Sequence, residues 1–430
     1  MNHDTTTAFA AEDLRVPNSA RLLHGWFATG RATDLAEHLA RYGPAPVGTA
    51  RSTLADAVER AGLAGRGGGG FPTGRKLRTV AGRRGPAVVI ANGMESEPAS
   101  RKDETLLSLV PHLVLDGAVL AAAAAGANTV HLCVPRTRDE QAQRLALAVD
   151  ERQHAGIDPV EVRVHMLPHH FVSSEETALV NWLNGGPARP RPTPPRPFEK
   201  GVGKRPTFVA NVETLAHVAL IARYGPDWFR EAGSPQTPGT TLVTLSGAIA
   251  SPGVYEVPMG SPVGQALAAA GGPTRRLSAV LAGGFFGSWL PVPLDPAAPA
   301  RGAGVLVALP EDACGLAETA AALAYLGSQS ARQCGPCRFG VPSVADDFAE
   351  LAWGQPGPAL TERLDRRLGL LPGRGACRHP DGAARLAASA LQVFSDDVQR
   401  HVRYGPCSHA RDPLVLAIPD ARPPAEEEWR

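Results

Sequence analysis

The stretch Gly65-Arg66-Gly67-Gly68-Gly69-Gly70-Phe71-Pro72-Thr73-Gly74-Arg75-Lys76 gathers glycines, cations and one aromatic ring in a single short segment. Glycine lets a backbone come close to a ligand and aim successive N–H groups at phosphate oxygens. Arg66 and Lys76 can balance the charge of such an anion, and Phe71 offers a ring face for stacking. Lysine is scarce in this chain, confined to Lys76, Lys102, Lys200 and Lys204, so Lys76 stands out from an arginine-dominated background. The composition suits a phosphorylated, planar cofactor; the alternative is a flexible surface loop. A second chemical cluster is Cys334-Gly335-Pro336-Cys337 with Cys377, 40 positions beyond Cys337. Six cysteines are few for a disulfide framework in 430 residues, and their grouping near the C-terminus points to a metal. Cys133 lies within an apolar run and reads as a core residue.

These residues need elements to position them. Ala87–Ala91 reads as a buried strand running into the polar loop Asn92–Asp103. In open α/β sheets, ligands bind beyond the carboxyl ends of strands. A helix is expected over about Asp103–Ala125, then the strand Thr129–Val134, a helix over about Arg138–Gln153 and the strand Val160–Met166. This alternation implies right-handed β-α-β crossovers on a parallel sheet. A helix near Thr53–Ala61 feeds the glycine loop. Phe171–Leu179 opens another helix, Pro206–Leu215 forms a further candidate site segment, and the proline-rich stretch 185–206 between them reads as an irregular surface loop.

In this order, the glycine loop, the Asn92 loop, the Glu175-Glu176 segment and the Asn211 segment resemble the flavin- and NADH-binding subunit of respiratory complex I, whose relatives serve NAD-linked hydrogenases and formate dehydrogenases. The resemblance runs from about Leu54 to about His401. It implies an α/β multidomain protein: a Rossmann-like parallel-sheet FMN domain (49–235) behind an N-terminal arm (1–48), a β-grasp module of the SLBB type (240–310), a helical iron–sulfur domain (311–403) and a tail (404–430) expected to fray. It also implies that Gly65, Arg66, Gly67, Gly68, Lys76, Asn92, Glu95, Ser96, Glu175 and Asn211 hold FMN, that Phe71, Glu97 and Glu176 meet NADH, and that Glu95, Glu97 and Glu176 are the catalytic carboxylates. A flavin suits this junction because it accepts an electron pair and releases electrons singly. A small iron–sulfur subunit or a ferredoxin is the expected partner.

Several residues depart from the family pattern. Thr79 stands where an aromatic is usual, Phe171 where a tyrosine is, Thr193 where a lysine is and Arg196 where a phenylalanine is. Met94, Ser174 and Ala210 replace an aspartate, a glycine and an asparagine. Lost rings remove stacking worth about 0.5–1.5 kcal/mol each, so NADH binding is expected to be weak, and a different donor such as ferredoxin is an alternative. A non-catalytic assembly or binding component is a further alternative, against which the intact glycine loop argues. The family places a cysteine at Ala331, so Cys334, Cys337 and Cys377 carry over as ligands of a [4Fe–4S] cluster without the fourth that a cubane usually takes. Cys314, Cys407, His379 or an exogenous group could complete it, or the site could hold [3Fe–4S]; zinc with His379 as fourth ligand is the competing metal. His169 and His170 stand near the expected site, either as ligand contacts or as polar loop residues.

The net charge of +1, from 43 basic and 42 acidic residues, argues against bulk nucleic-acid binding. The most apolar stretch, Leu113–Ala127, is interrupted by Asp116 and falls short of the ~20 residues that span a bilayer. With no secretory signal in Met1–Arg15, a cytoplasmic protein without membrane insertion is expected. Short strands and tight turns over 240–309, with a helix at Val263–Ala270, fit the β-grasp module. Four helices, Ala317–Leu326, Val344–Trp353, Leu360–Leu371 and Gly382–Val402, suggest a small bundle.

Overall fold

The computed structural model describes residues 20–430 apart from 296, 298–303 and 358. Part of the expected N-terminal arm, 1–19, lies outside the described residues. The remainder is helical: α1 (His24–Thr29), α2 (Leu35–Tyr42) and the start of α3 (Val47–Ala61). Asp34 caps α2 by accepting the Glu37 N–H at 2.9 Å. The glycine loop follows α3 and leads into α4 (Thr73–Ala81).

The sheet of the first domain forms from β1 (Ala87–Asn92), then α5 (Lys102–Leu109), α6 (Pro111–Ala125), β2 (Ala127–Pro135), α7 (Asp139–His154), β3 (Glu161–Leu167), α8 (Glu176–Leu183), β4 (Thr207–Asn211) and α9 (Val212–Arg230). Its strands are parallel in the order β3-β2-β1-β4. The apolar run of β1 is explained by cover on both faces. Ala87, Val89 and Ala91 join the core that includes Val58 of α3, Leu120 of α6 and Val218 of α9, while Val88 and Ile90 join Leu167 and Leu179 on the other side.

The helix expected over about 103–125 is two helices, α5 and α6, bent by 97°. Pro111 has no N–H to continue α5 and disfavours helical geometry at Val110, which sits at φ −138°, ψ 52°; at the first turn of α6 the same proline is well tolerated. No single helix among the described residues is long and apolar enough to cross a membrane. Asp116, buried in the otherwise apolar α6, receives bonds from His38 and Arg152, each at 2.7 Å, and from Arg223. Burial would raise its pKa, but these partners hold it well below the usual carboxylate range. One carboxylate thereby fastens α2, α6, α7 and α9 together.

The second domain is a five-stranded sheet of β5 (Thr240–Gly247), β6 (Gly253–Pro258), β7 (Leu277–Ala282), β8 (Ser288–Pro291) and β9 (Val305–Pro310), ordered β6-β5-β9-β7-β8, with α10 (Val263–Ala269) packed on it. The unanticipated strand, β8, is four residues long; it buries Trp289, whose indole N–H meets Thr319 at 2.9 Å. The third domain has α11 (Gly315–Ser328), a π-helical turn at Pro336–Gly340, α12 (Val341–Trp353), α13 (Leu360–Gly369), α14 (His379–Val393) and α15 (Ser395–Tyr404). The long helix expected over 382–402 breaks at Phe394, whose ring turns inward against Trp289 at 5.3 Å and fills the space beside Gly315. The tail is not frayed. It folds back as an ordered strap, burying Ala410, Leu416 and Trp429.

α6 and α9 approach so closely at Gly117 that a Cβ there would lie 1.8 Å from the Leu215 carbonyl oxygen. Gly117→Ala should therefore lower stability by about 1–3 kcal/mol, read as a shift in urea midpoint. Gly264→Ala in α10, where a Cβ meets nothing within 4 Å, should be neutral or slightly stabilising.

Candidate functional site

Asn92 ends β1 and Asn211 ends β4, and the two are register partners in adjacent parallel strands. The chain leaves β1 toward β2 on one side, and β4 lies on the other, so the two asparagines flank the switch point where an open sheet leaves a crevice. Asn92 donates to the Ser174 carbonyl at 2.9 Å and accepts from the Met94 N–H at 3.2 Å. Asn211 caps α9 by accepting the Glu213 N–H at 3.0 Å and donates to Asp103 at 2.6 Å. Met94 is fully buried within the core of the sheet, which explains how an apolar residue is accommodated where the family carries an aspartate.

The glycine loop closes on itself through the Gly65 N–H and the Phe71 carbonyl at 2.9 Å. Gly68 and Gly70 take φ of 89° and 60°, a region open to glycine, and added Cβ atoms at Gly68, Gly69 and Gly70 would meet nothing within 4 Å. At Gly67 the nearest atom is Asn211 Cβ at 3.4 Å, so loop and crevice adjoin. This cradle of exposed backbone with amide side chains at its floor fits FMN, with a phosphate on the loop and a polar ring edge at the asparagines. Phe71 is 50% exposed, its ring available for stacking. Lys76 reaches across to Glu176 at 2.7 Å, uniting the loop with α8.

Arg66 differs from its expected role. Its side chain is buried and turned inward, donating to the Thr240 carbonyl at 3.0 Å and lying 3.8 Å from Glu213, so its guanidinium is spent on the fold and not on a phosphate. Around it is a charge network that sequence reasoning missed: Lys102 Nζ lies 2.6 Å from Asp103 and 3.0 Å from Glu213, and donates to Asn211 at 3.3 Å. Burial opposes the Lys102 charge, but Asp103 and Glu213 prevail and raise its pKa. The available signal was the scarcity of lysine, which singles out Lys102 as much as Lys76.

The carboxylates divide by role. Glu95, at φ 32°, receives the N–H groups of Asp103 and Glu104 at 2.8 and 2.9 Å, the Ser100 hydroxyl at 2.8 Å and Arg138 at 3.0 Å. Its oxygens are engaged at the start of α5, where they position that helix and the loop before it. Glu175 caps α8 through the Thr177 and Ala178 N–H groups at 2.8 and 3.3 Å, and burial raises its pKa. Ser96 donates to the Phe171 carbonyl at 2.6 Å. Glu97 accepts the Phe285 N–H of the β-grasp domain at 2.9 Å; burial pushes its pKa up to about 7 against that bond.

Glu95, Glu97, His170 and Tyr325 line a cavity of about 870 Å³ whose far wall is the tail, from Ala417 to Asp420. The strap is held by Trp429 against His170 (ring centroids 4.4 Å), by the Ala188 N–H on the Trp429 carbonyl at 2.7 Å and by Arg189 paired twice with Glu426 at 2.8 Å. His170 Nε2 meets the Glu428 carbonyl at 3.0 Å, and His169 bonds Thr137 at 2.8 Å, so both histidines serve the loop and tail. Thr79 bonds back to the Arg75 carbonyl of its own helix at 2.8 Å, and Thr193 and Arg196 are exposed on the proline-rich loop.

The π-helical turn that carries Cys337 packs against α14, which Cys377 precedes by two residues, and His379 at the start of α14 meets Phe171 at 5.8 Å between ring centroids, so these cysteines lie near the segment that leads to the α8 cap. Burial is the main cause that pushes Cys377 up to about 11. Among the described residues, the group of three ligand atoms lying within 4.8 Å of one another is Cys314, His401 and Cys407, not the trio of Cys334, Cys337 and Cys377. Cys314 lies with His401, its Sγ 3.9 Å from Nε2. His379 bonds the Leu326 carbonyl through Nε2 at 2.8 Å, and its Nδ1 is buried without a partner. Cys133 is fully buried, as expected.

Comparison with known proteins matches residues 58–220 to the Nuo51 FMN-binding domain, 242–284 to the SLBB domain and 314–401 to the NADH-ubiquinone oxidoreductase-F iron–sulfur binding region. A flavin cradle joined through a β-grasp module to a cysteine-bearing helical domain is the plan of an electron-transferring flavoprotein. The chain belongs to the NADH-quinone oxidoreductase-F family. It is 33% identical to the Streptomyces coelicolor member over 80% of this chain and 82% of the relative. With the Escherichia coli member it shares 30% over 83% and 86%. The solved structure of an NAD+-reducing [NiFe]-hydrogenase in the air-oxidized state superposes with a TM-score of 0.80 at 29% identity, covering 92% of this chain and 70% of that one.

Glu97 yields a pH prediction. Its folded pKa of about 7 lies above the ordinary 4.5, so the folded state holds an extra proton between these values and stability falls as pH rises through that window. Glu97→Gln keeps an acceptor for Phe285 without the charge. Denaturation midpoints at about pH 5 and pH 8 should differ less in the variant than in the parent; equal differences would show that Glu97 does not titrate there.

Proposed function

We propose that this chain takes electrons from NADH at an FMN held between the glycine loop and the Asn92–Asn211 pair, and passes them singly to a cluster on Cys334, Cys337 and Cys377 and then to a partner protein. The observation that carries this reading is geometric: Gly67 of the glycine loop adjoins Asn211 Cβ at 3.4 Å, and Phe171, just before the Glu175 cap, packs its ring against His379, two residues beyond Cys377, at 5.8 Å. Bound there, FMN supplies the exchange between an electron pair and single electrons, and the cluster supplies one-electron carriage.

The chain's own residues do the rest. Loop backbone from Gly65 to Gly70 and the Lys76 ammonium receive the phosphate, Asn92 and Asn211 orient the ring, and Glu95 and Ser96 fix the loop between them. Phe71 and Glu176 face the incoming nucleotide, with Glu97 behind them. His379 Nδ1, unpartnered and two residues from Cys377, is the protein group we assign to the corner left by Ala331. The partner we propose is a small iron–sulfur subunit or a ferredoxin. A reducing, cytoplasmic setting fits six free cysteines.

Gly67→Val would drive a branched side chain into Asn211 and the crevice. FMN affinity, followed by flavin fluorescence, should fall at least about tenfold, equivalent to ~1.4 kcal/mol; unchanged affinity would remove the loop from the site.

A second reading, a donor other than NADH, is favoured by Thr79 bonding its own helix where the family has a ring. Stopped-flow flavin bleaching with NADH, NADPH and reduced ferredoxin separates the two. Slow, weakly saturating bleaching with NADH is expected, and rapid bleaching at micromolar NADH would show that the substitutions are compensated.

A further inference from the structure

We propose that Cys314, His401 and Cys407 form a second metal site, a mononuclear Cys2His centre for a zinc-class dication, independent of the trio assigned to iron and sulfur. The three ligand atoms lie within 4.8 Å of one another, and Cys314 Sγ is 3.9 Å from His401 Nε2. A tetrahedral zinc with bonds of about 2.0–2.3 Å spaces its ligands about 3.5–3.8 Å apart, so binding needs only a small contraction.

The donors come from three places in the chain, each fixed by structure. Cys314 is the residue before α11. His401 is fully buried in the last turn of α15, and its Nδ1 lies 3.0 Å from the Leu351 carbonyl. A carbonyl can only accept, so Nδ1 carries the proton and Nε2 presents its lone pair toward the thiols. A hydrogen-bonded second nitrogen of this kind is the usual support of a metal-bound histidine. Cys407 follows the turn at Gly405, whose φ of 84° reverses the chain at the end of α15 and brings the cysteine back over His401. The Cys407 N–H donates to His401 Nε2 at 3.2 Å, a hydrogen bond that a metal would have to replace.

Two thiolates and an imidazole are a soft, nitrogen-containing set that selects zinc over oxygen-seeking cations. The fourth position has an approach: Cys314 lines a cavity of about 230 Å³ together with Glu318, His409 and Asp412. Glu318 is not available as a ligand, since its oxygens receive the Val415 and Leu416 N–H groups at 2.7 and 3.0 Å. His409 and Asp412 are paired with each other at 2.9 Å, which leaves the fourth position to water from the cavity. Such a centre would fasten the returning tail to α11 and α15 at its root.

The test uses the full chain, purified anaerobically, with zinc and iron quantified by mass spectrometry of the elements. A full equivalent of zinc is expected beside the iron. Cys407→Ser and His401→Gln should lose the zinc and keep the iron, while Cys377→Ser should lose the iron and keep the zinc. Cobalt(II) added to the metal-stripped, reduced chain should give a thiolate-to-cobalt charge-transfer band that disappears in Cys314→Ser. Far-UV circular dichroism guards against misfolding, and Cys407→Ser, at a half-buried tail position, decides if His401→Gln does not fold. Zinc content unaffected by Cys407→Ser, absence of any cobalt band in the parent, or an intact mass showing a Cys314–Cys407 disulfide in the reduced preparation would each overturn the proposal.

Discussion

The buried ion group of Lys102, Asp103 and Glu213 is the constraint on which the rest of the molecule leans. An ammonium and carboxylates out of water are tolerated only when each is paired and hydrogen-bonded. Here the pairing draws on the start of α5, the start of α9 and, through the Leu242 N–H and the Thr241 hydroxyl on Glu213 at 3.0 and 2.9 Å, the first strand of the β-grasp domain. Lys102 also touches Asn211, so the crevice floor is held by the same charges. Removing one partner would leave an uncompensated charge inside the protein, which is why the orientation of the asparagines and the docking of the second domain are a single matter.

Arg66 and Glu95 follow a common logic. Both sit in segments that face the cofactor, yet both side chains point back into the fold, Arg66 to Thr240 and Glu213, Glu95 to the α5 terminus and Arg138. The groups left at the crevice are glycine N–H groups, amides and one ring, with the Lys76–Glu176 pair as a mutually neutralised charge beside them. A crevice built mainly from such groups on a charged foundation keeps its shape with little net charge of its own.

Much of this was legible in the sequence because it is local. The glycine run, the apolar strand Ala87–Ala91 and the Cys334–Cys337 spacing each carry their meaning within a dozen residues. What was not legible depends on partners far along the chain. The role of Arg66 is set by Thr240, and the grouping of Cys314 with Cys407 requires the chain to return after α15. The bend at Pro111 was readable in principle but was outweighed by the strength of the apolar pattern on both sides. The tail, rich in proline and acid, looks solvated until Trp429 finds His170 and Arg189.

The rings of Phe171 and His379 meet at 5.8 Å, with Phe286 of the β-grasp domain packed against both. Phe171 belongs to the segment that carries Ser174 and Glu175, and His379 stands two residues from Cys377. All three domains thus contribute to one aromatic joint beside the sites proposed for the two cofactors. Electron tunnelling rates fall steeply with separation, so a hinge at this place would make transfer intermittent. With the cofactors seated as proposed, the joint would act as a spacer, making the conductance between the sites a property of the folded chain and not of its breathing.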